Sequence, residues 1–255
     1  MDAIYRRVVW ALSGTERVGG IPLGPGRTCR VVDREGTATL VLWSDVADEH
    51  DTMVQLWVGD QARCVDLWGN ATPLETGADG RQVIRVGRAP VFIDQTPSWA
   101  ARLQASLAIS PGVIEARNEF HPARLTFANR RREPLSGRID LIAPARWRIE
   151  PSEFDFTLTS GQTFDHQLRV SFPYNETVGE KPCLVRVAVE ADRRYEFLAP
   201  IQLSLELKDI DVLTFPHVAD GKLLVRQTIT NRTTQPISRS EERRVGKECS
   251  SRGSP

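Results

Sequence analysis

Residues 183–191 read CLVRVAVEA, in which Val185, Val187 and Val189 alternate with Arg186, Ala188 and Glu190. A period of two sends successive side chains to opposite faces of an extended chain, so this stretch has one apolar face and one polar face. The same alternation recurs in ARLTFAN (123–129), where Leu125 and Phe127 alternate with Thr126 and Ala128. Around these lie GVIEA (112–116), LSGRIDLIAP (135–144), WRIEP (147–151), FDFTL (154–158), TFDHQLRVSFP (163–173) and YEFLAPIQLSLEL (195–207). Eight short runs within about 95 residues, with turns every 8–12 residues, predict half-buried antiparallel strands in an immunoglobulin-like sandwich.

A second β series lies upstream. TCRVVD (28–33) leads through Arg34-Glu35-Gly36 into TATLVLWS (37–44), which is apolar at both parities and so reads as covered on both faces. TMVQLWVGDQARCVDLWGN (52–70) has the outline of a hairpin with Gly59-Asp60 at its turn, and RQVIRVG (81–87) and PVFI (90–93) complete six strands. Only DAIYRRVVWALSG (2–14) has good helical period, with Tyr5, Val8, Val9 and Leu12 on one face and Gly14 as the stop. Two prolines and a break in β pattern make 94–112 a linker with a marginal helical turn. The expected fold is therefore all-β: two tandem antiparallel sandwiches, the second Ig-like, with a short N-terminal helix and an incomplete third β-domain. The boundaries are a helix remnant over 1–20, a sandwich over 21–95, a linker over 96–112, the Ig-like sandwich over 113–208 and the start of a further β-domain over 209–238.

The last seventeen residues, RSEERRVGKECSSRGSP (239–255), form no part of this pattern. Back-translated, the stretch resembles a common short-read sequencing adapter read through in one frame, agreeing at fifteen of seventeen positions and differing at Ser250 and Gly253. It is set aside from fold reasoning as a processing scar would be. Five of the 33 basic and three of the 33 acidic residues fall in it, which leaves 28 against 30 and a net charge of about −2. Phosphate-driven nucleic-acid binding therefore has no compositional support. No apolar run approaches 18 residues, the length a membrane-spanning helix needs.

Residues with chemical potential are few and scattered. Cys29, Cys64 and Cys183 lack CxxC spacing, which argues against a zinc site; Cys29 and Cys64 read as buried thiols or as a pair. Asp45, Asp48, Glu49, His50 and Asp51 form the densest acidic stretch, but without the glycine and alternate spacing of a calcium loop they read as a solvated loop. His50, His121, His166 and His217 have no metal-binding spacing, and Gly24-Pro25-Gly26 is a turn. Triplets at Asn70, Asn175 and Asn231 fit the glycosylation pattern, which matters only in a eukaryotic secretory setting. Sugar rings stack on exposed indoles. Trp43 and Trp57 lie in strand runs and read as core, while Trp68 and Trp99, on a turn and a linker, are the candidate glycan contacts. No catalytic residue, metal ligand or cofactor site is assigned.

The stretch 125–173 resembles the Ig-like domains attached to bacterial glycoside hydrolases and α-galactosidases, through Asn129, Leu135, Gly137, Pro144, Trp147, Gly161 and Pro173. The likeness spans roughly Ile114 to Leu207. WALSGTERVGGIPLGPGRTCRVV, TLVLWS, CVDLWGNATPL and VGRAPVFI, between Tyr5 and Ile93, look like the β-sandwich that follows the catalytic barrel in many such enzymes. The resemblance implies a non-catalytic accessory fragment of a secreted carbohydrate-active protein, with an upstream barrel of the same chain and polysaccharide as partners and an extracellular, periplasmic or cell-surface location. It also implies that α-helical residues 5–12 pack at the barrel's end and that Asp66, Gly69 and Asn70 make a turn. A second reading is a surface or adhesion protein of stacked Ig-like sandwiches with no enzymatic part, which the β run after Ile210 favours.

Overall fold

The structure, a computed structural model, describes residues 2–45, 52–117, 119–173, 176–207, 210–219 and 221–231. It divides into two units, Met1–Glu206 and Leu207–Pro255. Both are built mainly of antiparallel β-structure, and the fold is all-β with two short helices among the described residues.

The first unit opens with helix α1 (Asp2–Leu12) and nine strands: β1 (Glu16–Gly20), β2 (Arg27–Arg34), β3 (Thr37–Ser44), β4 (Thr52–Leu56), β5 (Arg63–Val65), β6 (Ala71–Pro73), β7 (Glu75–Thr76), β8 (Gln82–Val86) and β9 (Val91–Pro97). They form a six-stranded sheet in the order β1-β2-β3-β9-β5-β6 and a three-stranded sheet in the order β4-β8-β7. The β2–β3 turn has two residues, Glu35 at φ 49° and Gly36 at φ 92°, a mirror-image turn whose twist suits the paired strands. Ala38, Leu40 and Leu42 of β3 enter the core with Val31, Val54, Leu56, Ile84, Val86 and Ile93. The other parity of β3 is covered in part: Val41 meets Val8 and Ala11 of α1, together with Val65 and Phe92. The helix thus packs on the outer face of the six-stranded sheet, leaving Val9, Trp10 and Leu12 exposed.

The hairpin expected over 52–70 does not form. β4 pairs with β8 in one sheet, whereas β5 pairs with β6 and β9 in the other. Trp57, Val58 and Gly59 are buried where the chain crosses between sheets. Gly59 has φ 92°, and a Cβ there would lie 2.7 Å from Pro97 Cδ, so the bend requires glycine for packing, not for a hairpin turn. Short β6 and β7 were invisible to alternation because they carry too few residues to show a period, and β1, ERVGG, because it holds one apolar side chain and two glycines.

Segment 96–112, expected as a linker, holds the end of β9, helix α2 (Ser98–Ser106) and strand β10 (Ala108–Ser110). The Ig-like sandwich continues with β11 (Val113–Glu115), β12 (His121–Ala128), β13 (Leu135–Ile142), β14 (Arg148–Glu150), β15 (Glu153–Leu158), β16 (Thr163–Ser171), β17 (Gly179–Glu190) and β18 (Arg194–Glu206). Its sheets have the orders β10-β12-β16-β14 and β11-β18-β17-β13-β15, with β11 parallel to β18. Leu125, Phe127, Leu135, Ile139, Phe156, Val170, Val185, Val187 and Leu203 fill the space between them.

The second unit contains β19 (Ile210–Ala219) and β20 (Lys222–Asn231), paired along their whole length. Leu213, Phe215, Val218, Leu223, Leu224, Val225 and Ile229 are exposed on this ribbon. Residues 239–255 lie outside the described residues.

Candidate functional site

Two features of the first unit concern function, an aromatic joint between the sandwiches and a cleft beside it. The joint begins with Trp57, which follows β4 and leaves its own sandwich for the core of the next. Its ring stacks on Phe197 of β18 at 4.5 Å between centroids and meets Tyr195 edge-on at 6.2 Å. Trp99, at the start of α2, packs edgewise on the same two rings at 5.0 and 6.3 Å. Offset stacks and edge contacts at such distances are the favoured aromatic geometries. Arg131 lies over the Trp99 ring and Arg193 over Tyr195. Arg193 Nη2 also donates to Asp60 Oδ2 at 3.0 Å, linking the outer rim of both sandwiches. The Tyr195 hydroxyl donates to Asp192 and holds that carboxyl below its ordinary pKa.

Helix α2 is shared by the two cores. Ala101 packs in the first core, and Ala100 and Leu103 in the second. Gln104 Nε2 donates to the Trp57 carbonyl at 3.0 Å, satisfying a backbone acceptor at the crossing. Arg102 Nε and Nη2 donate to Asp33 Oδ2 at 2.9 and 2.6 Å, and Nη2 donates to Glu16 Oε2 at 2.5 Å. Alternating small and polar residues made 98–106 a weak helix in sequence; burial of its small residues by both sandwiches is what forms it.

The cleft opens between the sandwiches and encloses about 390 Å³. The loop 22–25 and Arg27 form one wall, and Met53, Val54 and Gln55 of β4 with Arg81 and Val83 form another. Leu184 and Pro200, paired across β17 and β18, belong to its floor, with Glu180 and Gln202 nearby. Arg81 is fully engaged, donating to Asp79 at 2.6 and 2.9 Å and to Gln55 Oε1 at 2.8 Å. Arg27 is not. Its Nη1 donates to the Leu23 carbonyl at 3.3 Å, its Nε is sealed from water without an acceptor, and no carboxylate among the described residues pairs with it.

The two candidate glycan contacts part ways. Trp68 is 64% exposed on the turn between β5 and β6. Asp66 builds that turn: its Oδ1 accepts from the backbone N–H of Trp68 and Asn70, and its Oδ2 accepts from Asn70 Nδ2 at 2.7 Å. Trp99 is half-buried and taken up by the joint. Trp57 is likewise buried there, and Trp147 is buried in the Ig-like core with its Nε1 donating to Glu176 Oε2 at 2.8 Å.

Cys29, Cys64 and Cys183 are free thiols, and burial pushes Cys29 up to about 12 and Cys183 to about 11. His121 is buried, with Nε2 within 3.0 Å of the Arg117 carbonyl, and His166 lies against Phe154 and Phe164. Of the acidic stretch, Asp45 is exposed and Asp48, Glu49, His50 and Asp51 lie outside the described residues. Among the described residues no group of three metal-binding side chains occurs, and no helix is long and apolar enough to cross a membrane.

No family model matches this sequence, and no curated protein matches it. Among solved structures, similar chains include WR4, an MSP family member of C. elegans, at 8% identity over 40% of this chain and 98% of that one, with TM-score 0.28. The E. coli chaperone DraB matches at 14% identity over 46% of this chain and 67% of its own, with TM-score 0.28. Gamma-CGTase from alkalophilic Bacillus clarkii matches at 12% identity over 81% of this chain and 28% of its own, with TM-score 0.22. Likeness at this level carries no functional argument, and the sandwich assignment rests on strand pairing within the chain itself.

Proposed function

We propose that this chain is a non-catalytic β-module that braces and spaces the parts of a larger, carbohydrate-active protein. The observation that supports this reading is the joint of Trp57, Trp99, Tyr195 and Phe197, which merges the end of one sandwich into the core of the next. Flexible tethering needs no such contact; holding a fixed orientation does. The carbohydrate-active parent rests on the sequence resemblance between Tyr5 and Leu207, and an extracellular or cell-surface location goes with it. The exposed Val9, Trp10 and Leu12 of α1 suit contact with a neighbouring domain, such as an upstream barrel. Trp68 is the side chain this reading offers to polysaccharide.

Hydrogen exchange during mild denaturation tests the brace. Strands β3 and β17 are expected to lose protection together, and Trp57→Ala to separate them at a cost of about 4 kcal/mol to the Ig-like sandwich. Independent loss of protection in the unaltered protein would overturn the brace. Long-read sequencing of the source DNA on both sides of this frame tests the parent and the adapter-like tail together. Alternating strand and helix patterns upstream support a barrel. Further β runs alone support the second reading, a surface protein of stacked sandwiches, which the β19–β20 ribbon favours.

A further inference from the structure

The cleft beside the joint is not needed to brace two sandwiches, and its chemistry is specific. Aliphatic and proline side chains dominate its walls: Leu23, Met53, Val54, Leu184, Pro200 and Ile201. No aromatic ring lines it, so it offers no stacking platform for a sugar. Two charges in it have no ion-pair partner among the described residues, the half-buried Arg27 and the exposed, solvated Glu180. Arg81 is neutralised by Asp79, while Arg27 gives one N–H to the Leu23 carbonyl and has no carboxylate partner among the described residues. A guanidinium held against apolar walls without a counter-charge is a standing electrostatic cost, and an anion at its accessible end lowers that cost, although the sealed Nε itself stays out of reach.

We infer that the cleft binds a small aliphatic carboxylate, with the carboxylate on the Arg27 guanidinium and the hydrocarbon chain along Leu23, Met53, Leu184 and Pro200. Arg27 is half-buried while Glu180 is exposed and solvated, so the charge held against the apolar walls is a single cation, which suits no more than a monoanion. A phosphate dianion would leave excess negative charge in an apolar cleft with Glu180 on its rim. The enclosed 390 Å³ falls in the range of small-molecule sites, and the mixture of apolar wall and one orienting charge is their usual composition. The walls come from both sandwiches, so a ligand here also adds to the contacts that hold them together.

Titration calorimetry on the full chain with butanoate, hexanoate and octanoate tests the site, using methyl resonances of Met53 and Leu184 to locate the ligand. One ligand is expected per chain, tightening by up to about fourfold per added methylene as the chain buries. Arg27→Gln is expected to weaken octanoate at least tenfold. Met53→Glu, an exposed substitution that leaves the fold intact and adds a repelling charge to the wall, is expected to weaken it similarly should Arg27→Gln prove poorly folded. Absence of saturable octanoate binding overturns the inference. So does equal affinity for 1-octanol, or for inorganic phosphate, or an unchanged octanoate affinity in both variants. None of these outcomes bears on whether β3 and β17 lose protection together, so the brace stands or falls separately.

Discussion

Asn129 shows how much of the Ig-like sandwich one side chain can organise. It follows the end of β12, almost wholly buried, and its Nδ2 donates to the carbonyls of Glu133, Leu158 and Thr159 at 3.0 to 3.2 Å. Its Oδ1 accepts from the Arg131 N–H at 2.9 Å, and its backbone bonds to Gln162 and Gly161. One amide therefore satisfies the turns that leave β12 and β15. Gly137 works by what it lacks. It sits in β13 between Phe156 and Val189, where a Cβ would press into the Ala188 carbonyl and lie 3.0 Å from Val189 Cα. Both neighbours are backbone and cannot rotate away. Gly137→Ala is expected to lower stability by about 3 kcal/mol, read from the urea midpoint, with the β17 amides losing protection first. Both positions belong to the pattern that resembles hydrolase-linked Ig-like domains, and both have a structural task at that point of the chain.

At the level of elements, α2 and β4 carry the arrangement. Helix α2 has neither a side-chain cap nor an acidic first turn, and nine residues of its composition would not hold a helix alone. It is held by burial on two sides and by Arg102, whose pairing with Asp33 ties it to β2 and with Glu16 to β1. Arg102→Met is expected to cost about 2 kcal/mol, because Asp33 is 8% exposed and would be left without its counter-charge. A double-variant cycle with Asp33→Asn checks this: the pair together should lose less than the two single losses combined. Among the described residues strand β4 pairs with β8 alone, and the stretch after it turns inward at Trp57. That inward turn opens the cleft on one side and closes the joint on the other.

Across the first unit, several carboxylates are engaged in local hydrogen bonds. Asp66 is held below its ordinary pKa first by Asn70, Asp79 by Arg81, Glu176 by Lys181 and then Trp147, and Asp192 by Tyr195. A carboxyl depressed in the folded state stabilises above its unfolded pKa, near about 4 to 4.5, and loses that contribution as pH falls through the lower folded value. Stability is therefore expected to be flat with respect to these groups above pH about 5 and to decline below about 4. Urea midpoints measured across that range check this, and Glu176→Gln should be less stable at neutral pH yet show a shallower acid decline. A midpoint that rises on acidification would contradict the assignment.

The all-β class and the Ig-like strand series were legible in the order of residues, since alternation in stretches such as 123–129 and 183–191 is a property of each strand by itself. Trp68 was legible too, because a turn of Asp, Gly and Asn leaves a large ring outside. The joint and the cleft were not. Nothing local distinguishes Trp57, which sits in an apolar run, or Trp99, which sits in a stretch with linker composition, from any other indole. The sheet change between β4 and β5 replaced an apparent hairpin, because Gly59 against Pro97 and the bond from Gln104 to the Trp57 carbonyl join residues far apart in sequence. In the strands, periodicity therefore determined which residues face inward; in α1 it did not, since Val9 and Leu12 of the expected apolar face are exposed and Ala11 packs beside Val8 instead. Only the tertiary structure decided which sandwich receives them, because that choice depends on the packing of α2 between two cores that no local pattern encodes.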